Sequence, residues 1–197
     1  MAEPPGGIGV FGGTFDPPHV GHVAVAANVR WALGLDEVLL VVANEPWQKA
    51  HLPVSSAADR LAMVEAAVAG VPGVAASAVE IERGGPSYTV DTLDDLGRRH
   101  PGASLHVVLG TDAAVLLDTW ERAAEVRERA AVVVVGRPGV AEVLPPGWEA
   151  TRVDVPLLAI SSTDLRARVA DGRPLDGLVP APVVAMIRER GLYAAGG

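Results

Sequence analysis

Short, continuously apolar runs alternate along this chain with segments whose apolar residues recur at helical spacing. The run 8–11 and the segment 37–43, apolar from Val38 onward, read as strands of a parallel sheet buried on both faces. Between them the pattern predicts a helix over 18–33. Another follows over 57–69, with Leu61, Val64, Ala67 and Val68 on one face. Further strands are expected at 74–81, 105–109, 131–135 and 152–160. Further helices are expected at 89–99, across 113–129 with Trp120 near a break, from Ser161 through 165–170, and at 182–190. Arg83-Gly84-Gly85-Pro86 and Gly136-Arg137-Pro138-Gly139 read as turns. The segment 140–150 is irregular and suggests no function. Strands alternating with helices predict an α/β fold, a doubly wound parallel sheet. A single domain spanning 1–197 is expected, with 1–7 as a tail and 160–193 as a helical C-terminal part.

In open α/β sheets, ligands bind beyond the carboxyl ends of the strands. The loops at those ends are 12–22, 44–51, 83–89, 110–120, 136–139 and 160–166. Nearly every suggestive polar residue of the chain lies in one of them.

Composition narrows the classes. The 197 residues are 49% hydrophobic, so a real core is within reach. Cysteine is absent, which removes disulfides, thiolate nucleophiles and Cys-based zinc sites. No apolar run reaches the ~18 residues of a membrane span. The acidic, Pro-rich start Met1-Ala2-Glu3-Pro4-Pro5 is unlike a signal peptide, and a cytoplasmic location is expected. A net charge of −8 argues against broad nucleic-acid binding but not against a local nucleotide pocket.

Gly7-Ile8-Gly9-Val10-Phe11-Gly12 matches the G-x-G-x-x-G dinucleotide fingerprint. Its context is wrong, because the fingerprint follows a strand and this one runs through a strand. A Walker A loop is absent. The stretch Gly12-Gly13-Thr14-Phe15-Asp16-Pro17-Pro18-His19-Val20-Gly21-His22 is more specific. Strand, glycines and helix start make a phosphate-binding corner of free N–H groups and positive dipole. Gly12 and Gly13 allow close backbone approach, Thr14 adds a hydroxyl, and His19 and His22 share the first helical turn. The bland alternative is a solvated His19 and a satisfied core His22.

This stretch resembles the first signature of the HxGH nucleotidyltransferases. Ile160-Ser161-Ser162-Thr163-Asp164-Leu165-Arg166 resembles their second, I-S-S-T-x-[IL]-R. Taken alone, it is also compatible with a Ser-capped helix and an exposed Arg. The segment Gly84 to Leu93, with Pro86-Ser87-Tyr88-Thr89, is similar to the P-S-Y-T-x-x-T-L segment of nicotinate-nucleotide adenylyltransferases. Gly110-Thr111-Asp112, Thr119-Trp120, Gly136-Arg137-Pro138-Gly139 and Arg190-Gly191-Leu192-Tyr193 are similar to their later segments. The likeness covers about 8–193, and it implies a Rossmann-like nucleotidyltransferase fold.

The resemblance implies His19, His22, Lys49 and Arg166 at the reacting phosphates. It implies Gly12, Gly13, Thr14, Phe15, Gly110, Asp112, Arg137, Ile160, Ser161 and Ser162, with His19, His22 and Arg166, around ATP. Gly13, Thr14, Asp16, Asn44, Lys49, Tyr88, Thr89 and Trp120 would hold nicotinate mononucleotide, with Trp120 stacking on the pyridine ring. A core tryptophan, a helix-capping Asp112, a turn Arg137 and a solvated Lys49 are the plain alternatives. One loop departs from the family's N-x-P-P-H-K: here it reads Asn44-Glu45-Pro46-Trp47-Gln48-Lys49, a pattern similar to actinobacterial members.

The implied reaction is adenylyl transfer from ATP to nicotinate mononucleotide, giving nicotinate adenine dinucleotide and pyrophosphate. Mg²⁺ would ride on the ATP phosphates with no dedicated protein ligand. ATP and the mononucleotide are then the expected partners, with neither nucleic acid nor membrane, and a homo-oligomer is left open. Alternatives are an adenylyltransferase of nicotinamide mononucleotide, of phosphopantetheine or of another phosphorylated acceptor, and a non-catalytic dinucleotide-binding module.

Overall fold

The computed structural model describes residues 6–46, 54–136, 143–156 and 158–194. Lys49 and Arg137, with Trp47, Gln48 and most of the turn 136–139, lie outside the described residues. Six strands form one parallel sheet: β1 (Gly7–Gly13), β2 (Glu37–Val42), β3 (Val74–Ser77), β4 (Ser104–Gly110), β5 (Ala131–Gly136) and β6 (Thr151–Asp154). Their order is β3-β2-β1-β4-β5-β6, so the chain reverses direction of travel between β1 and β4. That reversal is where a doubly wound sheet opens a crevice.

The helices are α1 (Val20–Leu33), α2 (Ala57–Val68), α3 (Val79–Arg83), α4 (Thr89–Arg99), α5 (Thr111–Ala114), α6 (Ala123–Arg129), α7 (Ser162–Ala170) and α8 (Ala181–Glu189), with a 3-10 turn at Leu117–Thr119. Successive strand residues point to opposite faces. Leu39, Val41, Val107 and Val134 join a core with Leu93 and Leu96 of α4. Val38, Leu40, Val108 and Val133 join a second core with Val25 and Val29 of α1. A third cluster lies off the sheet, where Met63 of α2 meets Leu165 of α7 and Val183 and Ile187 of α8. None of the described helices is long and apolar enough to cross a membrane.

Three expected elements are corrected. The strand expected over 74–81 ends at Ser77, its last partner being Val41. The chain then turns into α3, which buries Val79 and Glu80. The stretch 113–129, expected as helical with a break near Trp120, does break there, but more deeply: it divides into α5, the 3-10 turn capped at its end by Trp120 and α6, with Arg122 at φ 50° starting the last piece. The strand expected over 152–160 stops at Asp154, paired with Gly136. Pro156, which has no N–H to donate, follows two residues later.

The glycine fingerprint lies inside β1, as its context suggested. A Cβ on Gly9 would meet Val38 Cγ2 at 2.7 Å, and one on Gly7 would meet Leu35 Cδ2 at 2.6 Å. These glycines serve close packing within the strand.

Candidate active site

Two separations in the sheet create the site. β1 pairs with β4 only as far as Val10 and Val107, although both strands continue. β1 pairs with β2 as far as Gly13 and Val42, and Ala43 N–H adds one more link to Gly13 O at 3.0 Å. Beyond these points the strands part, and a cavity of about 190 Å³ lies at their carboxyl ends. Gly12, Gly13 and Thr14 line one wall; Tyr88, Thr89 and Trp120 line another. All six were expected at the substrates.

The two glycines of the corner have different reasons. A Cβ on Gly13 would strike the Phe15 ring, with Cζ 2.8 Å away, whereas nothing lies within 4 Å of one on Gly12. Gly12 therefore presents bare backbone to open space, and Gly13 makes room for Phe15. Phe15 sits at φ 51° and is buried. Its ring meets the His22 ring edge to face, with centroids 5.0 Å apart. Phe15 is thus a wall behind His22.

His19 is the N-cap of α1. The two imidazoles stack, with centroids 3.6 Å apart and planes inclined by 20°. His19 N–H donates to His22 Nδ1 at 3.2 Å, which places the ring proton of a neutral His22 on Nε2. His19 is buried, and burial lowers its pKa from 6.5 to about 4. It is therefore neutral at pH 7. Its Nδ1 is buried with no hydrogen-bond partner among the described residues.

The second signature docks onto the first across 150 residues. Ser161 caps α7 by accepting Asp164 N–H at 3.1 Å. Ser162 Oγ donates to Pro17 O at 2.9 Å, and Arg166 Nη1 donates to Asp16 O at 2.8 Å. Arg166 Nη2 also reaches Thr163 Oγ1 at 3.3 Å. Ile160 stands just before this helix start, half-buried. Both carboxylate oxygens of Asp16 are engaged within the protein, by Tyr193 Oη–H and by Ser55 N–H. Asp16, expected beside nicotinate mononucleotide, therefore also holds the loop's shape.

Asn44 is also engaged internally. Its Nδ2 donates to Gly85 O at 3.0 Å, and its N–H donates to Ser87 Oγ at 2.9 Å. Ser87 N–H in turn donates to Glu45 O at 3.1 Å. Asn44 and Glu45, just after β2, are thus zipped to the segment Gly85 to Ser87. Tyr88 is the N-cap of α4, so the first amides of that helix open beside the cavity. At the end of β4, Gly110 is the N-cap of α5, and Asp112 lies exposed in its first turn.

Sequence reasoning assigned no role at the site to four residues here. Arg60 is 1% exposed and, among the described residues, its hydrogen bonds go to backbone carbonyls around the site. Glu80 lines the cavity and accepts Thr92 Oγ1–H at 2.5 Å. Burial pushes its carboxyl above the usual range, against the opposing hydrogen bonds of Ser87 and Thr92 and the positive charges of Arg83 and Arg60. Tyr193 clasps Asp16. Trp148, from the irregular segment, donates Nε1–H to Asp118 Oδ1 at 2.6 Å and so pins the 3-10 turn before Trp120. A charged residue inside an apolar helix face was the one available signal, at Arg60.

Comparison with known proteins gives the geometry its context. The cytidylyltransferase-like family model matches residues 10–168. The probable nicotinate-nucleotide adenylyltransferase of Corynebacterium kroppenstedtii is 44% identical over 194 residues, covering 96% of this chain and 92% of that protein. The chain belongs to the nicotinate-nucleotide adenylyltransferase family. The Streptomyces coelicolor relative of the same name is 46% identical over 184 residues, covering 92% of this chain and 98% of its own. Among solved structures, Plasmodium falciparum nicotinic acid mononucleotide adenylyltransferase complexed with NaAD superposes with a TM-score of 0.78 at 17% identity, over 95% of this chain and 97% of that one. That likeness concerns the fold. Among the described residues, no group of three or more His, Asp or Glu is placed to hold a metal ion.

Proposed function

We infer that this enzyme transfers the adenylyl group of ATP to nicotinate mononucleotide, a step of NAD biosynthesis. A 5′-phosphate oxygen of the mononucleotide attacks the α-phosphorus of ATP. The bond from that phosphorus to the oxygen bridging to the β-phosphate breaks, and pyrophosphate leaves. The nucleophile is already an anion, so the protein needs no strong base. Alignment and charge neutralisation carry the rate.

The observation that carries the reading is the junction of the two signatures, with Arg166 on Asp16 O, beside a cavity walled by Tyr88 and Trp120. In this reading the amides of Gly12 and Gly13 and the Thr14 hydroxyl receive phosphate oxygens. His19, His22, Lys49 and Arg166 serve the reacting phosphates, with Phe15 behind His22. Ile160, Ser161 and Ser162 face the ATP phosphates; Gly110, Asp112 and Arg137 face the adenosine. Trp120 stacks on the electron-poor pyridine. The α4 amides at Thr89 hold the nicotinate carboxylate, while Asn44 and Asp16 border the mononucleotide and shape the loops around it. The site's donors are amides, hydroxyls, imidazoles and guanidinium, a set for phosphate oxygens. ATP enters as its Mg²⁺ complex, with phosphates and water as the metal's ligands, and the ion supplies charge neutralisation. Both substrates are phosphorylated metabolites, and we place the reaction in the cytoplasm.

Pyrophosphate release from Mg-ATP, measured in parallel with nicotinate mononucleotide, nicotinamide mononucleotide and phosphopantetheine, tests the assignment. Nicotinate mononucleotide should lead in kcat/KM by at least about 10-fold. Equal or faster turnover of phosphopantetheine would overturn it.

A further inference from the structure

We propose that Arg60 is a positioning residue for adenylyl transfer: its buried guanidinium sets the register between the phosphate corner and the backbone at Ala43 and Asn44 just after β2. The proposal rests on reading 12–22 as that corner and the cavity as the acceptor pocket.

The argument starts where β1 and β2 part. Past Gly13 and Val42, the ladder no longer supplies donors to the carbonyls that follow. Buried carbonyls need partners. Arg60, reaching in from α2, supplies them. Its Nη1 donates to Thr14 O at 3.1 Å and to Ala43 O at 2.6 Å. Its Nη2 donates to Asn44 O at 3.2 Å, and its Nε donates to Ser55 O at 2.9 Å. One planar group thus spans Thr14 near the start of the first signature, Ala43 and Asn44 just past β2, and Ser55, which leads into α2.

None of these acceptors is a side chain. A guanidinium that is 1% exposed, hydrogen-bonded to carbonyls and offset in charge by Asp16 and Glu80 nearby, is a costly way to fill space. Its distinctive contribution is rigidity, since the fork fixes the angle between its acceptors as a lysine ammonium cannot. The wiring continues outward. Asn44 N–H meets Ser87 Oγ, and Ser87 precedes Tyr88, the N-cap of α4. Arg60 therefore connects the backbone under the phosphates to the backbone beside the pyridine. Transfer requires the two substrates in line, and a displacement of about 1 Å between their halves costs about 10²-fold in rate.

The test is steady-state kinetics of Arg60→Lys, of His22→Ala and of the double variant. Folding and substrate stoichiometry are checked by circular dichroism and calorimetry. Arg60→Lys should bind each substrate singly with KM within about 3-fold of wild type while kcat falls about 10²-fold. The double variant should lose far less than the product of the two single losses, because both act on one corner. Val183→Ala, in the α2–α8 core away from the cavity, should lower the melting temperature and leave kcat unchanged. A kcat for Arg60→Lys within about 3-fold of wild type overturns the proposal. So do losses that multiply in the double variant, or a loss that merely follows melting as in Val183→Ala. Wild-type turnover in His22→Ala instead overturns the reading of the corner on which the proposal rests. If Arg60→Lys does not fold, Ser87→Ala cuts the same wiring at Asn44 N–H. It should lower kcat about 10-fold with KM unchanged, and an unchanged kcat overturns the proposal.

Discussion

Tyr193 donates its hydroxyl to the buried carboxylate of Asp16, 2.5 Å away and 177 residues earlier in the chain. Ser55 N–H takes the other carboxylate oxygen at 3.1 Å, and Arg166 takes the Asp16 carbonyl. Three distant segments meet at one residue of the first signature. Burial, reinforced by the Asp16 hydrogen bond, pushes the Tyr193 hydroxyl well above the usual tyrosine range. The folded-state value is raised, so this contribution to stability is complete below the ordinary value near 10 and is lost as pH rises above it. Tyr193→Phe should destabilise the protein by about 1–3 kcal/mol, because it leaves a buried carboxylate oxygen without a donor. Urea unfolding checks this; a loss near zero would show that the clasp is dispensable.

His19 should titrate with a midpoint near 4, since burial depresses its imidazole from 6.5 to about 4. The sign follows from the unfolded chain, which takes up the proton near 6.5 while the folded protein does not. The stability contribution is present above about 6.5 and is lost as pH falls toward about 4. Imidazole carbon-bound proton shifts followed by NMR report the midpoint. A value above 6 would mean that His19 is open to water.

Gly21→Ala should separate activity from stability. The added Cβ would stand 3.0 Å from His19 Nδ1, and His19 is already stacked on His22. Helix propensity alone favours alanine here by up to about 1 kcal/mol. The expected variant keeps or slightly raises its melting temperature while kcat falls about 10-fold. Full activity would show that the stack tolerates displacement.

Trp120→Ala should weaken nicotinate mononucleotide binding by about 1–2 kcal/mol in calorimetric titration and leave ATP binding unchanged. The indole lines the cavity, and its Nε1 is buried with no partner among the described residues. Equal loss for both ligands would place the ring outside the acceptor pocket.

How far the site could be read in advance depended on the residue. The β1 glycines, Thr14, His19 and His22 are contiguous in sequence, so a strand-to-helix corner was legible from local chemistry. Tyr88, Thr89 and Trp120 come from two other loops, yet they line one cavity because both loops end at carboxyl edges of the same sheet. Asp16 and Asn44 were read as substrate contacts because they are polar and lie in the right loops. Only their partners, Tyr193, Ser55, Gly85 and Ser87, reveal that they also hold the loops in shape. Arg60 and Glu80 carry no local motif at all. Each is defined by the carbonyls or hydroxyls that surround it.

By itself the chain determined what short-range physics can determine. The alternation of apolar runs and helical periods sets the sheet and its layers, because burial on two faces demands that pattern. The 12–22 corner follows from glycines, prolines and histidines at fixed spacing. Element boundaries such as Ser77 and Asp154 were decided by the last available neighbour, Val41 and Gly136. The tertiary structure alone decided where β1 parts from β2 and β4, and hence which carbonyls lose their ladder partners. That separation makes both the cavity and the need for Arg60, and it exists only once the strands are side by side.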